Sequence, residues 1–326
     1  MSERFGTEHH VLYVEPASFR DFIPGYVWHM DEPVTEAAAL SLYFVSRRLR
    51  EHVTVALSGE GADELFAGYD IYRYMRWLER YRTLPQLVRS GLLNPLLSLA
   101  GNKVRKYVRL SELPLEERYL GVSLHDPWQP TALYTEGFRA EIAAPGHAAL
   151  AAYYGRSVGR DPLTRMLYCD LKTWLVDDLL VKADKMTMAN SVELRVPFLD
   201  YRVVEFAARV PSRMKQRGRH VKWILKQAMA SRLPQEILER PKVGFPTPLA
   251  LMFRSDLSDY LSDVLLSGAA RQRGYFDARA VERLIADHLQ GRRDNHKALW
   301  QLVVLEEWHR TFVDRPASHV VSESVA

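Results

Sequence analysis

From Ile71 to Phe312 the sequence spaces its apolar residues at three and four positions with few interruptions, as in "IYRYMRWLERYRTL", "DPLTRMLYCDLKTWLVDDLLVKADKMTMANS", "KWILKQAMASRLP" and "HKALWQLVVLEEWHRTF". A chain patterned in this way buries its apolar stripes only as packed helices. Strand-like alternation is nearly absent there, so most of the chain is predicted helical. The residues before Ile71 read differently. "VLYVE" (11–15) predicts a short strand, and Pro16 and Ser18 prepare a helix over "ASFRDFIPGYVWHM". "VTEAAALSLYFVSRRLRE" predicts an amphipathic helix that closes on Arg47, Arg48 and Arg50, at the end where the macrodipole favours cations. "HVTVAL" (52–57), β-branched and bounded by Ser-Gly, predicts a buried parallel strand. No Gly/Ser-rich linker divides the parts. The expected fold is α/β and predominantly helical, with the helices packed onto a small sheet as one unit.

Composition excludes several functions. Of 326 residues 47% are apolar, enough to fill a large core, and 44 Lys plus Arg against 40 Asp plus Glu leave a formal charge of only +4. Such a small excess implies no nucleic-acid partner. The lone cysteine, Cys169, rules out an internal disulfide or a thiolate-rich zinc site and reads as a core residue. No signal-like apolar region opens the chain, and "LLNPLLSLA" (92–100) is too short to span a bilayer, so a cytoplasmic protein with no membrane association is expected. Residues 313–326 are polar and aperiodic and predict a disordered tail.

The chemistry concentrates where "HVTVAL" breaks into "SGEGADELFAGY". In a strand–loop–helix unit this loop lies at the carboxyl edge of the sheet, where open α/β folds bind ligands. Gly59 and Gly61 let backbone approach a ligand, and the helix that follows aims free N–H groups at it, which suits a phosphate or nucleotide. Glu60 and Asp63 are acids in an anion-friendly place, as a divalent cation or a proton transfer would require. A plain turn with first-turn acids explains the same residues, because a bare G-x-G is a weak motif. Asp178, Lys182 and Lys185 share a helical face and read equally as a surface ion-pair row. The histidines show no metal-ligand spacing, so no histidine-held catalytic metal is expected.

"VALSGEGADELFAGY" (55–69), "DDLLVKADKMTMANSVELRVPFLDYRVVEFA" (177–207), "HVKWILKQA" (220–228) and "LPQEILERPKVGFPTP" (233–248) resemble, in order, the blocks of the asparagine synthetase family's ATP-dependent domain. The resemblance covers roughly residues 5–312 and implies a partial synthetase domain over 1–312. It implies an adenine nucleotide alpha hydrolase-like parallel sheet that is incomplete here, carrying a large helical C-terminal part. The implied reaction is amide formation on aspartate through a β-aspartyl-adenylate, with ATP consumed to AMP and pyrophosphate, Mg²⁺ as cofactor, and ammonia supplied by a glutaminase domain or chain. By that resemblance Ser58, Gly59 and Gly61 contact ATP, Glu60 takes a proton from attacking ammonia, and Asp63 holds Mg²⁺. Lys222 and Lys242 face the pyrophosphate and the transition state, while Asp184 and Arg195 shape the aspartate and nucleotide pocket.

The sequence departs from the family in two ways. It has neither the N-terminal cysteine of a glutaminase half nor the S-G-G-x-D-S pyrophosphate loop, and residue 1 aligns downstream of that loop. A truncated or split synthetase is therefore expected, weak or inactive alone, with a partner supplying the loop. The alternatives are a domain that amidates or cyclises another carboxylate, and a non-catalytic binding or assembly subunit.

Overall fold

The computed structural model describes residues 1–99, 101–122, 133–142, 148–240, 244 and 247–314. Helices dominate these residues, and the sheet they contain is a parallel pair, β1 (Val55–Leu57) and β2 (Glu193–Arg195), in the register Val55↔Glu193, Ala56↔Leu194 and Leu57↔Arg195. A parallel pair needs a long crossover, and here helices supply it, so the fold is mostly helical α/β.

Two strand expectations fail. Residues 11–15 form no strand, with Val11 and Tyr13 65% and 86% exposed, and Pro16 starts the Pro16–Met30 helix directly after them. β propensity describes fitness for a pleated, half-buried surface. No described strand offers those residues one. β1 itself is shorter than predicted and is not buried, since Val55 and Leu57 are 39% and 73% exposed. Parallel sheets are ordinarily covered on both faces. The open face of this pair is therefore unusual for its class.

The helical expectations hold with adjusted bounds, at Ala38–Arg50, Asp70–Arg82, Trp223–Met229 and His296–Phe312. Leu115–Arg118 is a helix of only one turn. The long stretch from Pro162 is not one helix. Asp161 caps Pro162–Lys172, Thr173 leaves helical geometry at φ −130 and ψ −81, a π-helix runs over Trp174–Leu180, and Val181–Met188 is α-helical again. Such π segments lodge an extra residue in a turn and re-aim the side chains around it.

Among the described residues three apolar clusters carry the packing. The largest joins Pro16–Met30, Ala38–Arg50 and His296–Phe312 around Tyr26, Phe253 and Trp300, whose indole donates to Thr35 O at 2.9 Å. A second groups Tyr72, Met75, Tyr119, Met166 and the fully buried Cys169. The third is small and sits beneath the β1 loop, where Leu65, Phe66 and Ala207 meet Leu199 and Ile224. At the C-terminal end Asp314 is held by Arg273 at 2.8 Å, so the chain is still anchored there; the rest of the expected tail lies outside the described residues. Among the described residues no helix is long and apolar enough to cross a membrane.

Candidate active site

At the end of β1 the Ser58 amide donates to Arg195 O at 2.9 Å, which extends the strand pairing into the loop. Gly61 then turns the chain at φ 86 as N-cap of the Ala62–Phe66 helix, and the Leu65 amide donates back to Gly61 O at 3.0 Å. Both features demand glycine at position 61. Its φ is left-handed, and a Cβ there would overlap Leu199 Cδ2. Gly59 differs, because a Cβ there would meet nothing within 4 Å. The chain leaves room beside Gly59, as close approach of a ligand to backbone requires.

Asp63, in the first turn of the helix, pairs with the Lys222 ammonium at 2.9 Å, both side chains being largely buried at 13% and 21% exposure. Lys222 is the N-cap of Trp223–Met229 and has a left-handed backbone at φ 51. Such a conformation is costly for a side-chain-bearing residue and persists where the surroundings impose it. Taken alone, Lys222 would pass for a solvated lysine; the fold instead fixes it on Asp63. Gly68 completes the arrangement. Its amide donates to Asp63 O at 2.8 Å, and a Cβ there would overlap Asp63 Oδ1 and Lys222 Cε.

Beneath the loop lies Glu64, only 1% exposed. Burial pushes its pKa up, opposed by the Tyr69 hydroxyl, which donates to Glu64 at 2.5 Å. Tyr69 in turn accepts from the Trp174 indole at 3.4 Å. Trp174 and Asp178 come from the π-helix and line an open cavity of about 780 Å³ with Thr35, Glu36, His296 and Lys297. The Asp178 carboxyl is pushed up to about 6 by burial first, then by the charges of Glu36 and Glu60, with Lys182 opposing. Glu60 thus lies within electrostatic reach of the cavity. A cleft-lining carboxyl raised by burial beside a second acid makes a functional-site candidate.

The remaining site residues separate. Arg195 is exposed and pairs with Glu193 at 2.7 Å on the open face of the sheet. Asp184 is exposed on Val181–Met188, and no hydrogen bond or ion pair of its side chain joins it to the loop among the described residues. Lys242 lies outside the described residues. The expected surface row of Asp178, Lys182 and Lys185 does not form: Lys182 is buried, and Lys185 turns to Met30 O at 2.7 Å and Asp31 at 2.6 Å. Asp178 belongs to the π-helix Trp174–Leu180 and the two lysines to the α-helix that follows, so the i, i+4, i+7 register of one continuous helix is lost between them. Gly68, Tyr69, Trp174 and Glu36 carried no signal short of three-dimensional contact. Glu64 did, as an acid beside Asp63 in the same turn.

No group of three or more His, Cys, Asp or Glu gathers among the described residues to hold a metal unaided. Asp63 is a single carboxylate, already facing Lys222. That donor set fits magnesium only in its common mode, with one or two protein carboxylates and the remaining ligands from substrate phosphates and water.

A glycine-flanked loop at the carboxyl end of a parallel strand, running into a helix N-terminus, defines the ligand corner of an open α/β protein. The chain belongs to the asparagine synthase family, whose sequence pattern matches residues 1–310. It is 38% identical over 325 residues to a Mycobacterium tuberculosis protein provisionally named as a glutamine-hydrolysing asparagine synthetase, covering 99% of this chain and 49% of that one. It is 32% identical over 321 residues to glutamine-hydrolysing asparagine synthetase 1 of Bacillus subtilis, covering 95% of this chain and 49% of that protein. The chain spans about half the length of the curated relatives it matches.

Proposed function

We propose that this chain is the nucleotide-handling part of an ATP-dependent ligase that converts aspartate to asparagine. Aspartate's side-chain carboxylate attacks the α-phosphate of ATP, the bond to pyrophosphate breaks, and a β-aspartyl-adenylate forms. Ammonia then attacks the β-carbonyl carbon, AMP leaves with the bonding pair, and Glu60 takes the proton shed by the nitrogen. Ser58, Gly59 and Gly61 receive the nucleotide. Asp63 would hold Mg²⁺ together with the phosphates, and the ion would neutralise phosphate charge. Lys222 and Lys242 counter the charge that builds on the departing pyrophosphate, a stabilisation greater in the transition state than in the ground state. Asp184 and Arg195 belong to the outer wall of the nucleotide pocket in this reading.

The observation that carries the proposal is the Asp63–Lys222 pair at 2.9 Å, which brings a lysine from the third sequence block onto the acid of the first, at the edge of β1. The adjoining cavity supports the substrate class: Glu36 and Asp178 offer carboxylates to an α-ammonium and Lys297 a cation to an α-carboxylate. Among the described residues β1 and β2 are each paired along one edge only and show an open face, which supports the reading that a pyrophosphate loop with its strand and helix, from another segment or chain, completes and covers the sheet. A reducing, cytoplasmic setting is consistent with the single buried cysteine.

The test is pyrophosphate release and asparagine formation from aspartate, ATP and ammonia in an enzyme completed with the missing loop. Lys222→Ala is expected to lower turnover about 10²- to 10³-fold, the usual effect of removing one transition-state donor. Glu60→Gln is expected to impair amide formation more than pyrophosphate release. Full synthesis in both variants would make the chain a structural subunit. Indifference to aspartate, with another acid accepted, would assign it to a different carboxylate. Normal turnover by residues 1–326 alone would refute the need for a completing piece.

A further inference from the structure

On the far side of helix Asp70–Arg82 from its apolar face, a groove of about 400 Å³ opens between that helix and the hairpin at Gly218. Its walls carry Arg73, Arg76, Arg80 and Arg219 with the rings of Tyr74 and Trp77. These arginines are not equivalent. Arg76 is committed to structure, donating to Gln216 O at 2.8 Å and Gly218 O at 3.2 Å, and so ties the hairpin to the helix. Arg73 pairs with the exposed Asp70 at 3.0 Å, a one-turn surface pair worth little in water. Arg80 and Arg219 are exposed and have no carboxylate partner among the described residues. Burial and then the neighbouring Arg80 charge depress the Arg76 guanidinium, so the cluster repels itself. Trp77 is 50% exposed, although Tyr81 stacks beside it at 5.7 Å between centroids.

We infer that this groove is a second anion site, separate from the β1 loop, and that its ligand is a nucleoside polyphosphate. Arg73 and Arg80 are seven positions apart on one helix, about 10 Å along its axis, too far for one phosphate and suited to a chain of them. Guanidinium forks match phosphate oxygens in pairs, and Arg219 closes the third side. An exposed indole at the rim offers a face to a base, as aromatic platforms do in nucleotide recognition. The groove is the size of a small-ligand pocket and not of a helix or duplex.

Calorimetric titration of ADP into the Lys222→Ala variant tests this: under the proposed function that change is expected to weaken nucleotide binding at the β1 loop, and Lys222 does not line the groove. Saturable binding is expected there, falling with added salt. The further double change Arg80→Ala and Arg219→Ala is expected to weaken it at least about tenfold, as loss of charged hydrogen bonds does. Trp77→Ala is expected to weaken ADP more than inorganic tripolyphosphate. The three replaced side chains are exposed, so an unchanged melting temperature verifies the fold. Absence of ADP binding at millimolar concentration, or binding indifferent to the arginine pair, overturns the proposal. Tripolyphosphate binding as tightly as ADP overturns the nucleoside, and a single-stranded oligoribonucleotide binding about a hundredfold tighter reassigns the groove to RNA.

Discussion

Gly68 lies against the Asp63–Lys222 pair with no space for even a methyl group, so the position links local geometry directly to the chemistry. Gly68→Ala is expected to push the pair apart and destabilise the fold by about 1–3 kcal/mol, the usual range for overpacking, seen as a lowered thermal midpoint. An unchanged midpoint would mean that Lys222 is held by something other than this contact. Asp170 makes a different residue-scale prediction. It is fully buried, accepts from Tyr72 at 2.5 Å and from Tyr119, and is pushed up to about 7 by burial, with Glu64 adding like charge. Its folded pKa exceeds its unfolded value of about 4, so the native state holds the proton more strongly. The stability this contributes is full below about pH 4 and is lost as pH rises through about 7. Asp170→Asn keeps an acceptor for the tyrosines, and the fall in unfolding free energy between those limits should flatten in denaturant titrations. A slope unchanged by the substitution would place the titration elsewhere.

At the scale of elements, the β1–β2 pair and the π-helix decide what the site can do. Leu57, the last residue of β1, is 73% exposed on the uncovered face of the parallel pair. Leu57→Lys should alter the unfolding free energy of residues 1–326 by less than about 0.5 kcal/mol, because it removes almost no buried area. The same change should abolish synthesis in the completed enzyme, where that face is proposed to be covered. Retention of full activity by Leu57→Lys would leave the face exposed by design. The break at Thr173 was not legible in "YCDLKTWLVDDLLVK", whose spacing suits one continuous helix. Its position depends on tertiary demand: Cys169 and Leu175 go into the core while Trp174 and Asp178 are delivered to the cavity. β2 was equally silent, since "ELR" is too short to declare a strand and becomes one only against Val55–Leu57.

For the whole molecule, the largest apolar cluster fastens helix Pro16–Met30 to the late helix His296–Phe312, with Tyr26, Phe253 and Trp300 at its centre. Trp300→Ala should cost about 3–5 kcal/mol by the lost burial and the cavity left behind. A loss under about 1 kcal/mol would show that the two ends stabilise each other little. The amino-acid sequence by itself determined that the chain is mostly helical, because apolar periodicity is a local property of neighbouring residues. It likewise determined where the glycine-flanked acidic loop stands and which family the ordered blocks match. Tertiary structure alone decided that Lys222 faces Asp63, that Lys185 leaves its row for Asp31, and that β1 shows one face to solvent. Each of these depends on distances between residues far apart in the chain, set by how helices close over one another, and no pattern of adjacent residues encodes them.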